Sequence, residues 1–211
     1  MIIGICGRIG TGKDTIADYL CSNHDFARLS FAASLKDAIS NIFGWERDLL
    51  EGTTVESRKF RETVDEWWTD RLGITVTPRI ILQQWGTEVC RNNFHQDIWV
   101  ASLENKLRTT NKNVVITDCR FINEFNTIKK SNGKVVRVER GPTPSWYYDA
   151  NFYNRGIEKI ISKQNLDKQN IHASEYSSIG YDYDHIIIND GTLNDLYEKI
   201  NSQLVGLPVS S

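Results

Sequence analysis

No run in this sequence is long and apolar enough to cross a bilayer, and no basic stretch feeds a hydrophobic segment at its start. A membrane span and a secretory leader are therefore not expected, and the reading is a soluble protein of the cytoplasm, or of the host cytoplasm if the source is viral. A basic excess is missing too: 25 Lys and Arg stand against 27 Asp and Glu, for a net charge of −2. Basic residues occur only as scattered pairs such as Lys129-Lys130, so the electrostatic footprint of a nucleic-acid binder is absent. The four cysteines, Cys6, Cys21, Cys90 and Cys119, are too far apart for a C-x-x-C metal clip or a compact disulfide framework. They read as reduced thiols, with Cys6 and Cys119 as small buried hydrophobes in or beside apolar strands. His24, His95 and His185 have no metal-ligand spacing. There is no internal repeat and no low-complexity tract, and the closing GLPVSS reads as a frayed tail. What remains is an ordinary globular composition over 211 residues, enough for one substantial core and a single domain with inserts.

Against that background one segment carries clear chemistry. Gly7 to Thr15 read GRIGTGKDT directly after the apolar run IIGIC, and Ile16, Tyr19 and Leu20 follow at helical spacing. A strand that stops at Gly7 and a helix that begins near Lys13 leave a turn whose backbone N–H groups converge at the positive end of the helix dipole. Gly7, Gly10 and Gly12 allow the backbone to wrap an anion, Thr11 lies within the wrap, and Lys13 adds a mobile cation. In the usual G-x-x-x-x-G-K-[ST] loop a hydroxyl follows the lysine, whereas here Asp14 takes that place and Thr15 comes next. This GK-x-T spacing resembles small-molecule kinases such as adenylate kinase, and the N-K-x-D that reads guanine in GTPases is absent. Asp14 either holds a magnesium-bound water or caps the helix start.

Apolar runs alternate with helical patterns, which predicts an α/β fold. Strands are expected at 1–6, 26–31, 113–118, 134–139 and 185–189, and helices at 13–23, 34–43, 78–91, 95–109, 121–131 and 192–204. VVITD and HIIIND are continuous apolar runs, as in parallel strands covered on both faces. Asp118 and Asn189 then fall at carboxyl ends of strands, the edge where open α/β sheets bind ligands. Residues 44–77, rich in charge and Trp and weakly periodic, read as an insert. Residues 140–184 form a long polar and aromatic stretch, read as a mobile lid or a passive surface excursion. Within it, Trp146, Tyr147 and Tyr148 either stack on a base or pack the lid.

Seven blocks in order, GTGKDT, LSFAASLKDA, TPRIILQQWGTEVCRNNFHQDIWV, VVITDCRFINE, VVRVER, HASE and IIINDGTL, resemble the bacteriophage-type deoxynucleoside monophosphate kinases. The likeness runs from residue 2 to about 204 and is poor over 44–77 and most of 141–170. It implies a P-loop kinase three-layer sandwich with a five-stranded parallel sheet, a helical substrate-binding insert and a lid. It also implies ATP and Mg2+ as cofactors and transfer of the γ-phosphoryl to a deoxynucleoside 5′-monophosphate. Animal phosphomevalonate kinase carries a fainter version of the blocks, which keeps another small phosphorylated metabolite open as acceptor. A phosphate-binding switch that binds ATP without transferring it would lack a second cationic cluster, which Lys36, Arg91 and Arg120 here supply.

Phosphoryl transfer needs cations that hold two anions in line. Lys13 is read as bridging the donor phosphates, and Lys36 as reaching the acceptor phosphate, a role the resemblance also implies. Arg120, just beyond a strand tip, can fork onto phosphate oxygens or pair with Glu124 one helical turn on. Arg91 closes the 78–91 helix, where a cation also suits the dipole. Arg79 and Gln83 share a face of that helix and either touch the acceptor or form polar surface. Asp118 is read as holding water on magnesium, capping the next helix or orienting Arg120, and Thr15 as the magnesium hydroxyl. Arg137 and Arg140 flank the exit toward the lid and either close over phosphates or form ion pairs; Arg155 is a further lid cation. Asn189, Asp190 and Gly191 resemble the loop on which such kinases rest the adenine. His172 and Glu175 match the family, Glu175 as a partner for a lid arginine or both as helix caps. A homodimer is left open.

Overall fold

The protein is described from a computed structural model over residues 1–171 and 173–206; His172 and residues 207–211 lie outside the described residues, and with them most of the GLPVSS tail. In chain order the elements are β1 (Ile2–Cys6), α1 (Lys13–Asn23), β2 (Phe26–Leu29), α2 (Ala33–Phe43), α3 (Val55–Glu62), α4 (Glu66–Leu72), α5 (Pro78–Gln83), α6 (Ile98–Leu107), β3 (Asn113–Ile116), α7 (Ile122–Lys130), β4 (Lys134–Glu139), α8 (Tyr147–Asn154), α9 (Lys159–Lys168), α10 (Ala173–Tyr176), β5 (His185–Ile188) and α11 (Leu193–Ile200). The chain divides into two compact units, one of Met1–Ser30 with Thr110–Ser211 and one of Phe31–Thr109.

The first unit holds a five-stranded sheet in the order β2-β3-β1-β4-β5, every pairing parallel. The five strands expected from the apolar runs all form. Side chains alternate across the sheet. Ile3, Ile5, Val115, Val136, Val138 and Ile187 share a buried cluster with Ile16 and Leu20 of α1 and Leu196 and Ile200 of α11. Helix α7 covers the opposite face, where Ile128 reaches Gly4 closely enough that any Cβ there would meet its Cδ1 at 2.2 Å. Helix, sheet and helix make the three layers expected.

Helix α7 begins on a buried carboxylate. Glu124 Oε2 accepts from the backbone N–H groups of Arg120, at 2.8 Å, and Phe121, at 3.1 Å. The two N–H groups that lead into α7, one of them at its N-cap, are satisfied in this way. Glu124→Ala is expected to lower stability by about 1–3 kcal/mol, read as the shift in a urea unfolding midpoint.

Residues 140–184 are not irregular: α8, α9 and α10 close on a core of Ala150, Leu166, Tyr176 and Ile179. Asn154 Nδ2 ties the segment together by donating to the carbonyls of Tyr176 (2.7 Å) and Ile179 (2.8 Å). Of the aromatics weighed for base stacking, Tyr147 and Trp146 pack on this core and Tyr148 is exposed.

In the second unit, the Trp-rich stretch contributes to a core of its own. Trp45, Leu50 and Val76 pack with Leu35, Ile39 and Phe43 of α2 and Ile81 of α5. Phe43 stacks on Trp45 with centroids 4.5 Å apart, and the Trp45 indole donates to Asp65 at 2.8 Å. Helices α3 and α4 escaped the periodicity reading because each is only two turns long; each starts on a capping side chain, Thr54 and Asp65. The helix expected over 78–91 needs correction. Its α-helical part ends at Gln83 and continues as a π-helical stretch, Gln84–Asn92. Inside that stretch the buried Trp99 indole donates to the Gly86 carbonyl at 2.9 Å, a side chain engaging the backbone ladder where it widens.

Candidate active site

The glycine-rich turn joins β1, the central strand, to α1, and its conformation is set by close approach. Gly7 has φ 146°, and a Cβ there would meet the Val138 carbonyl oxygen at 2.4 Å. Gly12 precedes α1 at φ 102°, and a Cβ there would meet Asn189 Nδ2 at 2.5 Å. Non-glycine residues at either place would be both strained and obstructed. The Arg8 carbonyl anchors the turn: it accepts from Thr11 Oγ1 at 2.9 Å and from Lys13 Nζ at 2.8 Å. The first N–H groups of α1 have no carbonyl partner within the helix, which suits the helix start to an anion. Burial pushes the Lys13 ammonium below the ordinary lysine range, Asp14 opposing and Arg120 adding to the shift.

Three side chains brace the turn, one from within the motif and two from outside it, and sequence reading missed two of them. Arg8 Nη2 donates to the carbonyls of Arg140 (2.8 Å) and Pro142 (3.0 Å), tying the turn to the exit of β4. Arg28 on β2 pairs with Asp14 and Asp18 on α1 and donates to Thr117 Oγ1 at 2.9 Å, just past β3. Asp14, expected to hold a magnesium-bound water or cap the helix start, is thus also paired with a guanidinium. The third is Asn189, expected to rest the adenine. It is buried instead, its N–H on the Glu139 carbonyl at 2.8 Å and its Nδ2 on the Thr11 carbonyl at 2.9 Å. Asp190 pairs with Lys199, and Gly191 lies beside Asp195.

A pocket opens over the turn. Gly7, Ile9, Lys13, Thr117, Arg120, Glu175 and Ser178 line it. Arg120 Nη1 lies 3.7 Å from Glu175 Oε1 of α10. Asp118, next to the pocket wall, accepts from Ser30 Oγ at 2.7 Å. Thr15 sits half-buried in the first turn of α1. Lys13 and Arg120, two of the expected catalytic cations, are therefore brought together.

Arg137 is not. It is buried on the face of β4 opposite Val136, with Nε on Glu139 at 2.6 Å and Nη1 on the Tyr183 hydroxyl at 3.1 Å. Tyr147 and Tyr183 rings lie 5.5 and 5.4 Å from its guanidinium carbon. Burial opposes its charge, but Tyr183 and Glu139 more than offset this and raise its pKa. The expected phosphate contact gives way to a structural strut, the ion-pair alternative. Arg140 and Arg155 are exposed.

In the second unit Lys36 pairs with Glu51, which also receives Arg47. Burial raises the Glu51 pKa, but the hydrogen bonds from Lys36 and Arg47 outweigh it and hold the carboxyl below its usual range. Arg79 pairs with Glu62, Gln83 is exposed, and Arg91 lies half-buried in the π-helical stretch. The thiols are free, as expected; burial pushes Cys6 up to about 12 and Cys119 well above its ordinary value, so neither is a ready nucleophile.

A parallel sheet in this order, with a glycine-rich turn between its central strand and first helix and a lysine opening that helix, is the three-layer α/β fold of P-loop kinases. No family model matches the chain. Two curated relatives do. One is a protein of Acanthamoeba polyphaga mimivirus described as a candidate deoxynucleotide monophosphate kinase, 26% identical, with 96% of this chain and 95% of that protein covered. The other is the deoxynucleoside-5′-monophosphate kinase of Escherichia phage T5, 25% identical, with 63% of this chain and 73% of that protein covered. The resemblance carried by the seven blocks is borne out. Among solved structures, shikimate kinase from Aquifex aeolicus superposes with a TM-score of 0.46 at 14% identity, covering 98% of this chain and 97% of its own.

Proposed function

We propose that the protein transfers the γ-phosphoryl group of ATP to the 5′-phosphate of a deoxynucleoside monophosphate, giving ADP and the deoxynucleoside diphosphate. The observation that supports this most is the convergence of the glycine-rich turn, Lys13 and Arg120 on one pocket at the carboxyl edge of the sheet. An acceptor phosphate oxygen attacks the γ-phosphorus, and the bond to the β–γ bridging oxygen breaks to release ADP. That acceptor is already ionised near neutral pH, so no side-chain base is needed. The turn N–H groups and Lys13 hold the donor phosphates, with Lys13 leaving the Arg8 carbonyl for them. Arg120 neutralises charge on the moving phosphoryl group.

Among the described residues no group of three His, Cys, Asp or Glu is placed to hold a metal by itself. Mg2+ keeps most of its waters and binds through few protein groups together with phosphate oxygens, which suits one hydroxyl, Thr15, in the first turn of α1 and one carboxylate, Asp118, just past β3. Thr15 and, through water, Asp118 would hold it, while Arg28 keeps Asp14 engaged. When bound, the ion supplies charge neutralisation between the donor phosphates. Lys36, Arg79, Gln83 and Arg91 are the residues that the sequence reading assigns to the acceptor nucleotide, and Lys36 and Arg79 would exchange Glu51 and Glu62 for it. Residues 140–184 act as the lid, with Arg140 and Arg155 among its exposed cations, and 44–77 belong to the acceptor-binding insert.

An ADP-release assay across deoxynucleoside and ribonucleoside monophosphates and phosphomevalonate tests the proposal. The expected result is highest turnover with a deoxynucleoside monophosphate, and a kcat about 100-fold or more lower in Arg120→Ala with an unchanged circular dichroism spectrum. Turnover confined to phosphomevalonate, or undiminished in Arg120→Ala, overturns it.

A further inference from the structure

The pocket read as a phosphate site already contains a carboxylate. Glu175 lines it together with Lys13 and Arg120, and its Oε1 lies 3.7 Å from Arg120 Nη1. The side chain is only 31% exposed, so the charge is turned into the protein rather than into solvent. It is also firmly delivered. The neighbouring Tyr176 is buried in the α8–α10 core, and its carbonyl is tied down by Asn154. Lys13 and Arg120 carry like charges on the walls of this one pocket and repel each other. At Lys13, burial above all and Arg120 after it act against the ammonium, while Asp14 and Glu175 favour it.

We infer that Glu175 sets nucleotide affinity: its carboxylate is the resident counter-ion of Arg120 and Lys13, and an incoming phosphate must displace it. The inference rests on the reading of this pocket as the phosphate site. A nucleotide phosphate carries more charge and more acceptor oxygens than one carboxylate, so it wins the exchange. It wins by less than it would over an open pair of cations. A Glu175 that merely positioned Arg120 would have the opposite effect, since its loss would misalign the guanidinium and weaken binding.

The test is calorimetric titration of ADP, and separately of pyrophosphate, into the wild-type protein and Glu175→Gln, which keeps size and shape but removes the charge. Both ligands are expected to bind about three- to fivefold more tightly to the variant at low ionic strength, with the difference shrinking as salt rises. Equal or weaker binding by Glu175→Gln overturns the inference. If that variant fails to fold, Glu175→Asp draws the carboxylate back by one methylene and is expected to give a smaller gain of the same sign; no gain overturns the inference equally. Tighter binding in the variant, combined with no phosphorylation of any nucleotide by the wild type, leaves the counter-ion standing and removes the kinase. Failure of the wild type to bind either ligand removes both.

Discussion

Lys13→Met is expected to lower kcat by roughly 10²–10³-fold in the ADP-release assay while leaving the protein folded, because on the proposed function the side chain holds charge for the phosphates between which the phosphoryl group moves. The same change bears on stability. Burial is the main reason the Lys13 pKa lies below its ordinary value of 10.5 in the folded protein. A lysine whose folded pKa is depressed binds its proton less readily folded than unfolded. Its ammonium therefore costs stability at every pH below the folded pKa, and the cost fades as pH rises through that value toward 10.5. The nucleotide-free Lys13→Met variant should melt no lower than wild type at neutral pH, with the gap between them closing in alkaline buffer. A variant that melts well below wild type at pH 7 would place the lysine in a structural role instead.

Gly7→Ala should be the most damaging single-methyl change in the turn. It forces a residue with a side chain to φ 146° and drives its Cβ to 2.4 Å from a backbone oxygen, with Thr11 Oγ1 at 2.9 Å on the other side. Neither neighbour is the free end of a flexible chain. Strain and overlap together should cost about 2–4 kcal/mol, or roughly 4–16 °C in melting temperature for a chain of this size. Gly10→Ala is the control. At φ 79° with nothing within 4 Å of an added Cβ, it carries only the left-handed backbone cost of about 1–2 kcal/mol. Equal losses at the two positions would mean that the turn relaxes and that its contact with β4 is not tight.

The sheet was legible because each of its strands announces itself locally. IIGIC, VVITD and HIIIND are apolar runs bounded by polar residues, and such runs need no partner to be recognised. The turn was legible for the same reason. What could not be read were pairings between residues distant in sequence. Nothing beside Asp14 in the sequence points to Arg28 on β2, which pairs with it. Asn189 looks like a ligand residue until its amide is found on the Thr11 carbonyl. Arg137 was exposed to the same error, although an arginine amid VVRV alternates with residues that had to be buried. Its partners Tyr147 and Tyr183 come from a stretch with no period of its own. The π-helical turn at Gln84–Asn92 gave no signal, because the mark it leaves in the sequence is a single glycine, and the indole that engages it comes from Trp99.

The hydrogen bond from Asn189 to the Thr11 carbonyl spans 178 positions of sequence. During synthesis the motif leaves the ribosome before its supports do: the central strand waits for β3 and β4 to flank it and the turn waits for residue 189. A nascent chain halted before that residue would carry the complete motif and still lack the brace that shapes it, so nucleotide capture should switch on late in translation, close to the arrival of β5.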